Sequence, residues 1–207
     1  MRPAEVSEPS VFIVDDDEAV RDSIEELVAS VGLLAVGFAS ARQFLDAFDP
    51  HRPGCLVLDV RMANMSGPEL QEELIAMGAQ IPIVFISGHA DIPIAVKAIK
   101  AGAVDFVQKP YREQQLLDSI NAALRRDAAA RATNGAQVAF DQRQALLTER
   151  EREVMALVVK GLSSKAAAKT LGISYRTVEL HRSHILDKLG VRSVAELIRL
   201  VVERRTT

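Results

Sequence analysis

Carboxylates, a hydroxyl and a lysine follow the predicted strands in the first half of the chain. Asp15 and Asp16 come directly after the first apolar run, Asp59 ends the third, Ser87 follows the fourth and Lys109 follows the fifth. Close carboxylates repel one another unless a hard divalent cation neutralises them, and Mg²⁺ prefers such oxygen ligands. The set suits phosphoryl transfer to a carboxylate. Asp59 would be the nucleophile, Ser87 would bind a new phosphoryl oxygen, and Mg²⁺ with Lys109 would balance the phosphoryl charge.

Short apolar runs precede these polar residues, and amphipathic segments separate the runs. Continuous runs rich in β-branched residues are typical of strands that are buried on both faces of a sheet. The runs are 11–14, 33–38, 55–58, 83–86 and 104–107. Five alternating strand and helix units predict an α/β fold with a doubly wound, five-stranded parallel sheet and helices on both faces. Function in such sheets lies at the carboxyl ends of the strands, which is where the polar residues fall.

Each of these polar residues also has a plain structural explanation. Acidic residues after a strand often cap the next helix, a serine can belong to a loop, and a lysine can be a solvated charge. The interpretation as a site rests on joint placement, because the residues occupy the ends of four different strands. A hydrolase triad of Ser87, His89 and Asp91 is disfavoured, since these residues are crowded into one short segment without a Gly-x-Ser-x-Gly turn.

Residues 11–125 resemble the receiver domain of two-component response regulators. The motifs that carry the resemblance are Val14-Asp15-Asp16-Asp17, Leu58-Asp59-Val60-Arg61-Met62, Ile86-Ser87-Gly88-His89 and Gln108-Lys109-Pro110. The resemblance implies a flavodoxin-like sheet with strand order 2-1-3-4-5. The sequence departs from the family at one place, because the usual Met-Pro-Gly-Met after the phosphoacceptor is replaced here by Met62-Ala63-Asn64-Met65.

The same resemblance implies a role for single residues. Asp59 would be the phosphoacceptor, Ser87 the switch hydroxyl, and Phe106 the aromatic residue that turns inward when Ser87 moves. Lys109 matches the family's lysine, and its peptide bond to Pro110 would be cis. The implied Mg²⁺ ligands are Asp15, Asp16, Asp59 and the backbone carbonyl of Arg61.

The net charge of −3 conceals two halves of opposite sign. Residues 1–126 carry 11 basic and 19 acidic side chains, a net of −8, whereas residues 127–207 carry 14 and 9, a net of +5. A basic region of this kind is a feature of nucleic-acid-binding domains. The near-neutral total therefore does not exclude a nucleic-acid binder.

The polarity pattern changes after residue 126. Residues 127–145 begin with helix-favouring alanines, and Thr133-Asn134-Gly135 then predicts a break, so this segment is interpreted as a helical and then flexible linker. The expected domains are a receiver at 10–126, the linker at 127–145 and an all-α helix-turn-helix domain at 146–207.

Four helices are predicted after Leu147, near 149–160, 164–171, 175–189 and 194–204. Thr148 and Glu151 fit a capping box, and Ser163 and Ser174 fit the amino-terminal caps of the next two helices. In the third helix the core-facing positions are Val178, Ile185 and Leu189.

The opposite face of this third helix carries side chains that suit the major groove of DNA. Arg176 suits guanine, Glu179 suits cytosine, Leu180 suits the thymine methyl group, and Ser183 points the same way. The predicted phosphate contacts are Thr177, Arg182 and Lys188. A solvated surface face is the plain alternative.

Residues 146–207 resemble the four-helix DNA-binding domain of the LuxR/FixJ (NarL-like) class, and the whole chain resembles FixJ-like regulators. The motifs are Leu147-Thr148-Glu149-Arg150-Glu151, Gly161-Leu162-Ser163, Leu171-Gly172-Ile173-Ser174 and Thr177-Val178-Glu179-Leu180-His181-Arg182. The resemblance implies a transcriptional regulator phosphorylated by a sensor histidine kinase. It would bind double-stranded DNA as a homodimer formed through the 90–124 surface, with RNA polymerase as a further partner. The alternative is a phosphorylation-independent DNA-binding regulator that uses its receiver only for dimerisation.

Other classes are disfavoured by simple features. The single cysteine, Cys55, lies in an apolar run and is expected to be a buried thiol, without a disulfide framework or a multi-cysteine zinc site. An independent aspartyl phosphatase would need a second acid two residues after Asp59, where Arg61 stands. No signal peptide or membrane span is recognised, and a cytoplasmic protein is expected.

Overall fold

A computed structural model describes residues 8–88 and 92–203 of the 207-residue chain. The chain divides into two compact units, the first ending at Ala132 and the second beginning at Thr133. His89 and Asp91 of the rejected triad, and the start of the predicted 90–124 surface, lie outside the described residues. Within those residues, no helix is both long enough and apolar enough to cross a bilayer.

The first unit is built on one parallel sheet. Its strands are β1 (Ser10–Val14), β2 (Leu34–Phe38), β3 (Gly54–Asp59), β4 (Ile83–Ser87) and β5 (Asp105–Gln108). Their order is β2-β1-β3-β4-β5, and every adjacent pair is parallel, as predicted. Because parallel strands end on the same side, Asp59 and Ser87 both lie at the carboxyl edge of the sheet.

Helices cover both faces of this sheet, because residues alternate between the two faces along each strand. Phe12, Leu56 and Phe85 pack in one core with α2 (Ala41–Ala47), α3 (Gly67–Ala76) and α4 (Ile92–Lys100). The neighbouring positions of the same strands pack in a second core with α1 (Glu18–Ser30) and the first part of α5 (Glu113–Ala145). The predicted doubly wound architecture is confirmed.

Helix α5 differs from the prediction. Instead of breaking at Thr133-Asn134-Gly135, it continues without interruption to Ala145. A glycine inside a helix costs only about 1 kcal/mol relative to alanine. The surrounding alanines favour the helix, and Phe140 is buried in the core of the second unit, so its packing opposes a break.

The second unit contains α6 (Glu149–Val159), α7 (Ser164–Leu171), α8 (Tyr175–Leu189) and α9 (Val194–Glu203) around one core. Its helix starts follow the sequence signals. Thr148 forms a capping box with Glu151, and Ser163 and Ser174 accept hydrogen bonds as amino-terminal caps. Gly172 ends α7 with a φ of 66°, a left-handed conformation that suits glycine. A helix-turn-helix formed by α7 and α8 results.

Candidate functional site

Lys109 connects two carboxylates at the carboxyl edge of the sheet. Its Nζ lies 2.7 Å from Asp15 Oδ2 and 2.8 Å from Asp59 Oδ1. The backbone N–H of Lys109 donates to the Ser87 carbonyl at 2.7 Å, which fixes the start of the loop after β5. The Lys109–Pro110 peptide bond is cis, as the resemblance implied. The structure therefore brings together side chains that are up to 94 positions apart in sequence.

The charges of this cluster alter its acid–base behaviour. Burial raises the pKa of the Asp59 carboxyl, Asp15 adds to the rise, and the hydrogen bond and charge of Lys109 oppose it. Burial by itself lowers the pKa of Lys109, but its hydrogen bonds to Asp15 and Asp59 outweigh burial and raise it. Lys109 consequently stays cationic, and Asp59 gains basicity relative to an exposed aspartate.

Backbone N–H groups hold the remaining carboxylate oxygens. Asp59 Oδ2 accepts from the N–H of Arg61 at 2.7 Å, and Asp16 Oδ2 accepts from the N–H of Ala63 at 3.1 Å. Two of the acids thus contact the same short loop after β3. The contact at Ala63 depends on the departure from the family motif, because a proline at that position has no N–H to donate.

Asn64 occupies the position where the family motif has glycine. Its φ is 67°, in the left-handed region. Asparagine tolerates this conformation better than most other non-glycine residues, so the loop keeps a turn that the family makes with glycine.

Two residues that support the cluster have no part in the sequence prediction. Arg21 donates from Nη1 to the backbone carbonyl of Asp15 at 2.8 Å. Gly67 begins α3 beside the end of β3, where an added Cβ would lie 2.3 Å from the Asp59 carbonyl oxygen. Sequence reasoning could have found Arg21, because it lies on α1, the helix that follows Asp15. The close approach at Gly67 had no sequence signal, because it depends on how α3 packs against β3.

Ser87 and Phe106 lie on adjacent strands beside this cluster. Ser87 is only 2% exposed. Phe106 is half-buried, and its ring stacks on Phe85 with centroids 6.3 Å apart. The aromatic switch role of Phe106 and the hydroxyl role of Ser87 stay predictions.

The donor chemistry of the cluster fits a hard divalent cation. Among residues 8–88 and 92–203, no group of three or more acidic, histidine or cysteine side chains forms a ready-made metal site. Asp16 and Asp59 nonetheless contact one loop, and Lys109 is shared by two buried carboxylates. Carboxylate and carbonyl oxygens are the ligands that Mg²⁺ takes in proteins, so the residues present suit it.

The solvent-facing side of α8 contains most of the predicted DNA contacts. Arg176, Leu180 and Ser183 are exposed, and Thr177 and Glu179 are partly exposed. Val178, Ile185 and Leu189 are buried, as predicted. Leu180 is 55% exposed.

The cationic groups of Arg182 and Lys188 contact other side chains of the second unit, unlike the exposed residues beside them on α8. Arg182 Nη1 donates to Ser164 Oγ and, at 3.0 Å, to Glu179 Oε1. Lys188 Nζ lies 2.7 Å from Glu151 Oε2, and the Glu151 side chain is only 4% exposed. Both cations are therefore held by groups within the second unit, and phosphate contact by either stays a prediction.

Two domain families match the chain. Residues 11–121 match the response regulator receiver domain, and residues 145–201 match the luxR family of bacterial regulatory proteins. The transcriptional regulatory protein TdiR of Thauera aromatica is 48% identical over 195 residues, which cover 93% of this chain and 85% of TdiR. FixJ of Azorhizobium caulinodans is 42% identical over 192 residues, which cover 93% of this chain and 91% of FixJ. The solved structure of the response regulator StyR superposes with a TM-score of 0.85 at 46% identity, covering 95% of this chain and 100% of StyR.

Proposed function

The chain belongs to the FixJ/LuxR class of two-component response regulators, transcriptional regulators that join a receiver to a DNA-binding helix-turn-helix. From this premise we propose that Asp59 accepts a phosphoryl group and that its phosphorylation controls DNA binding by α8. The observation that carries the proposal is the contact of Lys109 with Asp59 and Asp15, which places a cation against the nucleophile at the carboxyl edge of the sheet.

The reaction is a transfer from a phosphohistidine of the partner sensor kinase. A carboxylate oxygen of Asp59 attacks phosphorus, the P–N bond breaks as the P–O bond forms, and the histidine nitrogen leaves. Lys109 Nζ already lies 2.8 Å from Asp59 Oδ1, so its charge is in place where negative charge develops. The chain catalyses its own modification, with no separate substrate to turn over.

Mg²⁺ is part of this proposal. Asp15, Asp16, Asp59 and the backbone carbonyl of Arg61 would hold it, and the bound ion would neutralise charge on the phosphoryl oxygens. The N–H of Arg61 orients Asp59 Oδ2, and the N–H of Ala63 holds Asp16 against the same loop. These backbone groups keep both acids oriented before a phosphoryl donor arrives.

Phosphorylation changes the balance of charge beside Ser87 and Phe106. We infer that the Ser87 hydroxyl turns to donate to a new phosphoryl oxygen. Phe106, which is half-buried against Phe85, then fills the space that Ser87 leaves. The surface around α4 and β5 changes as a result, and two phosphorylated chains associate through it.

The output is sequence-specific binding to double-stranded DNA. Arg176, Glu179, Leu180 and Ser183 would face base edges, because they lie on the solvent side of α8. Thr177, near the amino-terminal end of this helix, would contact a phosphate group. A cytoplasmic location and an encounter with RNA polymerase complete the proposal.

The test is phosphorylation by acetyl phosphate, with incorporation measured by intact mass. Wild-type chain and Asp22→Asn, which removes an exposed acid of α1, should both gain one phosphoryl group, and Asp59→Asn should gain none. Labelled Asp59→Asn would exclude Asp59 as the acceptor. DNA affinity is then compared with and without acetyl phosphate. Equal affinities would favour the alternative, in which the receiver serves only dimerisation.

A further inference from the structure

We propose that Arg182 is a positioning residue that orients the carboxylate of Glu179 for base recognition, and that it does not contact DNA phosphate. The proposal rests on DNA binding by α8 and assigns a specific role within it. It differs from the expectation drawn from the sequence, which places Arg182 among the phosphate contacts. The reason for the difference is the direction in which the side chain runs.

Arg182 lies on the buried side of α8. It is four residues after Val178 and three before Ile185, and residues at these spacings share one helix face. Both neighbours are buried. The Arg182 side chain also lines an apolar cleft between α6, α8 and α9, whose other lining residues are Met155, Val158, Ile185, Leu186, Val194 and Leu197. Its aliphatic part therefore packs against the core, while 29% of the side-chain surface stays exposed.

The guanidinium group of Arg182 joins two helices. One nitrogen, Nη1, donates both to Ser164 Oγ at the start of α7 and to Glu179 Oε1 at 3.0 Å. Ser164 is buried, with 5% exposure. A positive charge near the amino-terminal end of a helix is unfavourable, so the carboxylate of Glu179 compensates the charge that Arg182 brings to α7. This contact restrains the Glu179 carboxylate at one of its oxygens, Oε1.

Glu179 stands between this internal contact and solvent. Its side chain is 43% exposed, and it lies next to Leu180 on the face proposed to read bases. A carboxylate accepts a hydrogen bond from the amino group of cytosine in the major groove. Fixing it before DNA arrives reduces the conformational entropy lost on binding. Arg182 thereby sets base preference without touching DNA.

The salt dependence of DNA affinity distinguishes a positioning residue from a residue that contacts phosphate. Each phosphate contact contributes about 0.9 to the slope of log affinity against log salt concentration. A positioning residue leaves this slope unchanged and alters discrimination at one base pair. Removing the Arg182 side chain should therefore change DNA binding in the same way as removing that of Glu179.

The experiment uses the full chain, phosphorylated with acetyl phosphate, and a DNA duplex selected by that chain from a random library. Two single variants and their combination are compared. Arg182→Met keeps an unbranched apolar side chain, and Glu179→Gln removes the charge of the carboxylate. Arg199→Met removes one charge from an exposed position of α9 and serves as the matched control. Affinity is measured across a salt series and against duplexes with each base substituted.

Arg182→Met and Glu179→Gln should each reduce discrimination at the same base pair by roughly tenfold. The combined variant should lose no more than either alone, and all slopes should stay at the wild-type value. A slope lower by about 0.9 in Arg182→Met would identify a phosphate contact and overturn the proposal. Additive losses at different base pairs would overturn it as well.

A measurement without DNA keeps this inference separate from the function it rests on. In nuclear magnetic resonance spectra of the full chain, the Arg182 side-chain N–H signals should show restricted rotation in wild type and faster rotation in Glu179→Ala, which removes one of the two acceptors. Identical signals in both would overturn the positioning role. Failure of the wild-type chain to select any DNA sequence would instead contradict the proposed function.

Discussion

Arg131 follows Asp127 by one turn of α5, and its Nε donates to both carboxylate oxygens of Asp127, at 2.9 and 2.8 Å. The Asp127 carboxylate is buried and also accepts from the backbone N–H of Gly54 at 2.9 Å. The remaining nitrogens of Arg131 donate to the backbone carbonyls of the loop before β3, which are those of Pro50, His51 and Arg52. This pair therefore fastens α5 to the end of the sheet opposite Asp59.

Arg131→Ala should lower the free energy of unfolding of the receiver by about 2–4 kcal/mol, because it leaves a buried carboxylate without its cation and several carbonyls without donors. Urea unfolding measures the change, and hydrogen exchange at Gly54 and residues 127–131 shows where it occurs. Arg125→Ala, at an exposed position of the same helix, should change stability by less than about 0.5 kcal/mol. Equal effects of the two variants would contradict a specific role for the pair.

A second ion pair makes the DNA-binding unit sensitive to acid. Burial tends to raise the pKa of Glu151, but hydrogen bonds from Lys188 and Thr148 outweigh it and lower the pKa from 4.5 to about 2. Because the folded pKa is depressed, the stabilisation is present above about pH 4.5 and is lost as the pH falls towards 2. Glu151→Gln should reduce stability at neutral pH by an amount on the order of 3 kcal/mol and should flatten the pH dependence in that window.

Thermal unfolding between pH 2 and 7 measures this effect, with helix content followed by circular dichroism. The control is Glu153→Gln, which removes a more exposed carboxylate from the same helix. Its stability profile should parallel that of the wild type. A Glu151→Gln profile as steep as the wild-type profile would place the acid sensitivity elsewhere.

The strands and most helix bounds followed from local sequence signals, whereas the strand order followed from the family resemblance. Apolar β-branched runs marked the strands, and Thr148, Ser163 and Ser174 marked helix starts, because a cap is made within a few residues of itself. Asp15, Asp59 and Lys109 were predictable as a cluster for a different reason. Parallel strands end at one edge, so strand ends converge whatever lies between them.

The interactions that escaped prediction depend on distant packing. Asp127 and Arg131 have the spacing of a surface helix pair, and nothing local shows that loop 50–52 accepts from Arg131. The continuation of α5 through Gly135 also depends on a distant contact, the burial of Phe140 in the second core. Composition placed Arg182 among the phosphate contacts, a role that stays a prediction, and nothing local showed its contacts with Ser164 and Glu179.

The exposed apolar side chains of α4 provide a test of the proposed dimer surface. Ile92, Val96 and Ile99 are each more than 40% exposed. Val96→Glu should keep the acetyl-phosphate-treated chain monomeric in sedimentation analysis, because a charge buried at an interface without a partner is costly. Leu34→Glu, at an equally exposed apolar position of β2, should still dimerise. Dimerisation of the Val96→Glu chain would exclude this surface.

The stability of the turn after β3 and Asp59 should depend on the residue at position 64. Asn64 has a φ of 67°, so Asn64→Ala places a less tolerant side chain in the left-handed region. The expected loss is about 1 kcal/mol of unfolding free energy, whereas Asn64→Gly should match or exceed the wild-type stability. Urea unfolding of the three chains gives the comparison. Equal stabilities for the alanine and glycine variants would contradict a left-handed turn here.

Asp59 itself should destabilise the metal-free receiver. Burial raises its pKa above the ordinary 3.8, so the folded state binds its proton more tightly than the unfolded chain, and stability falls as the pH rises through the raised pKa. Asp59→Asn, measured by urea unfolding in EDTA, should therefore be more stable than wild type at neutral pH. The single amide oxygen can still accept from either the Arg61 N–H or Lys109, which bind different oxygens of Asp59, and Lys109 keeps Asp15 as its counter-charge. Asp22→Asn should show no such gain in stability.

Added Mg²⁺ should narrow the difference in stability between Asp59→Asn and wild type by stabilising the wild type, since binding to the folded state alone raises the free energy of unfolding. An Asp59→Asn chain less stable than wild type in EDTA would show that Asp59 is held there by net favourable contacts.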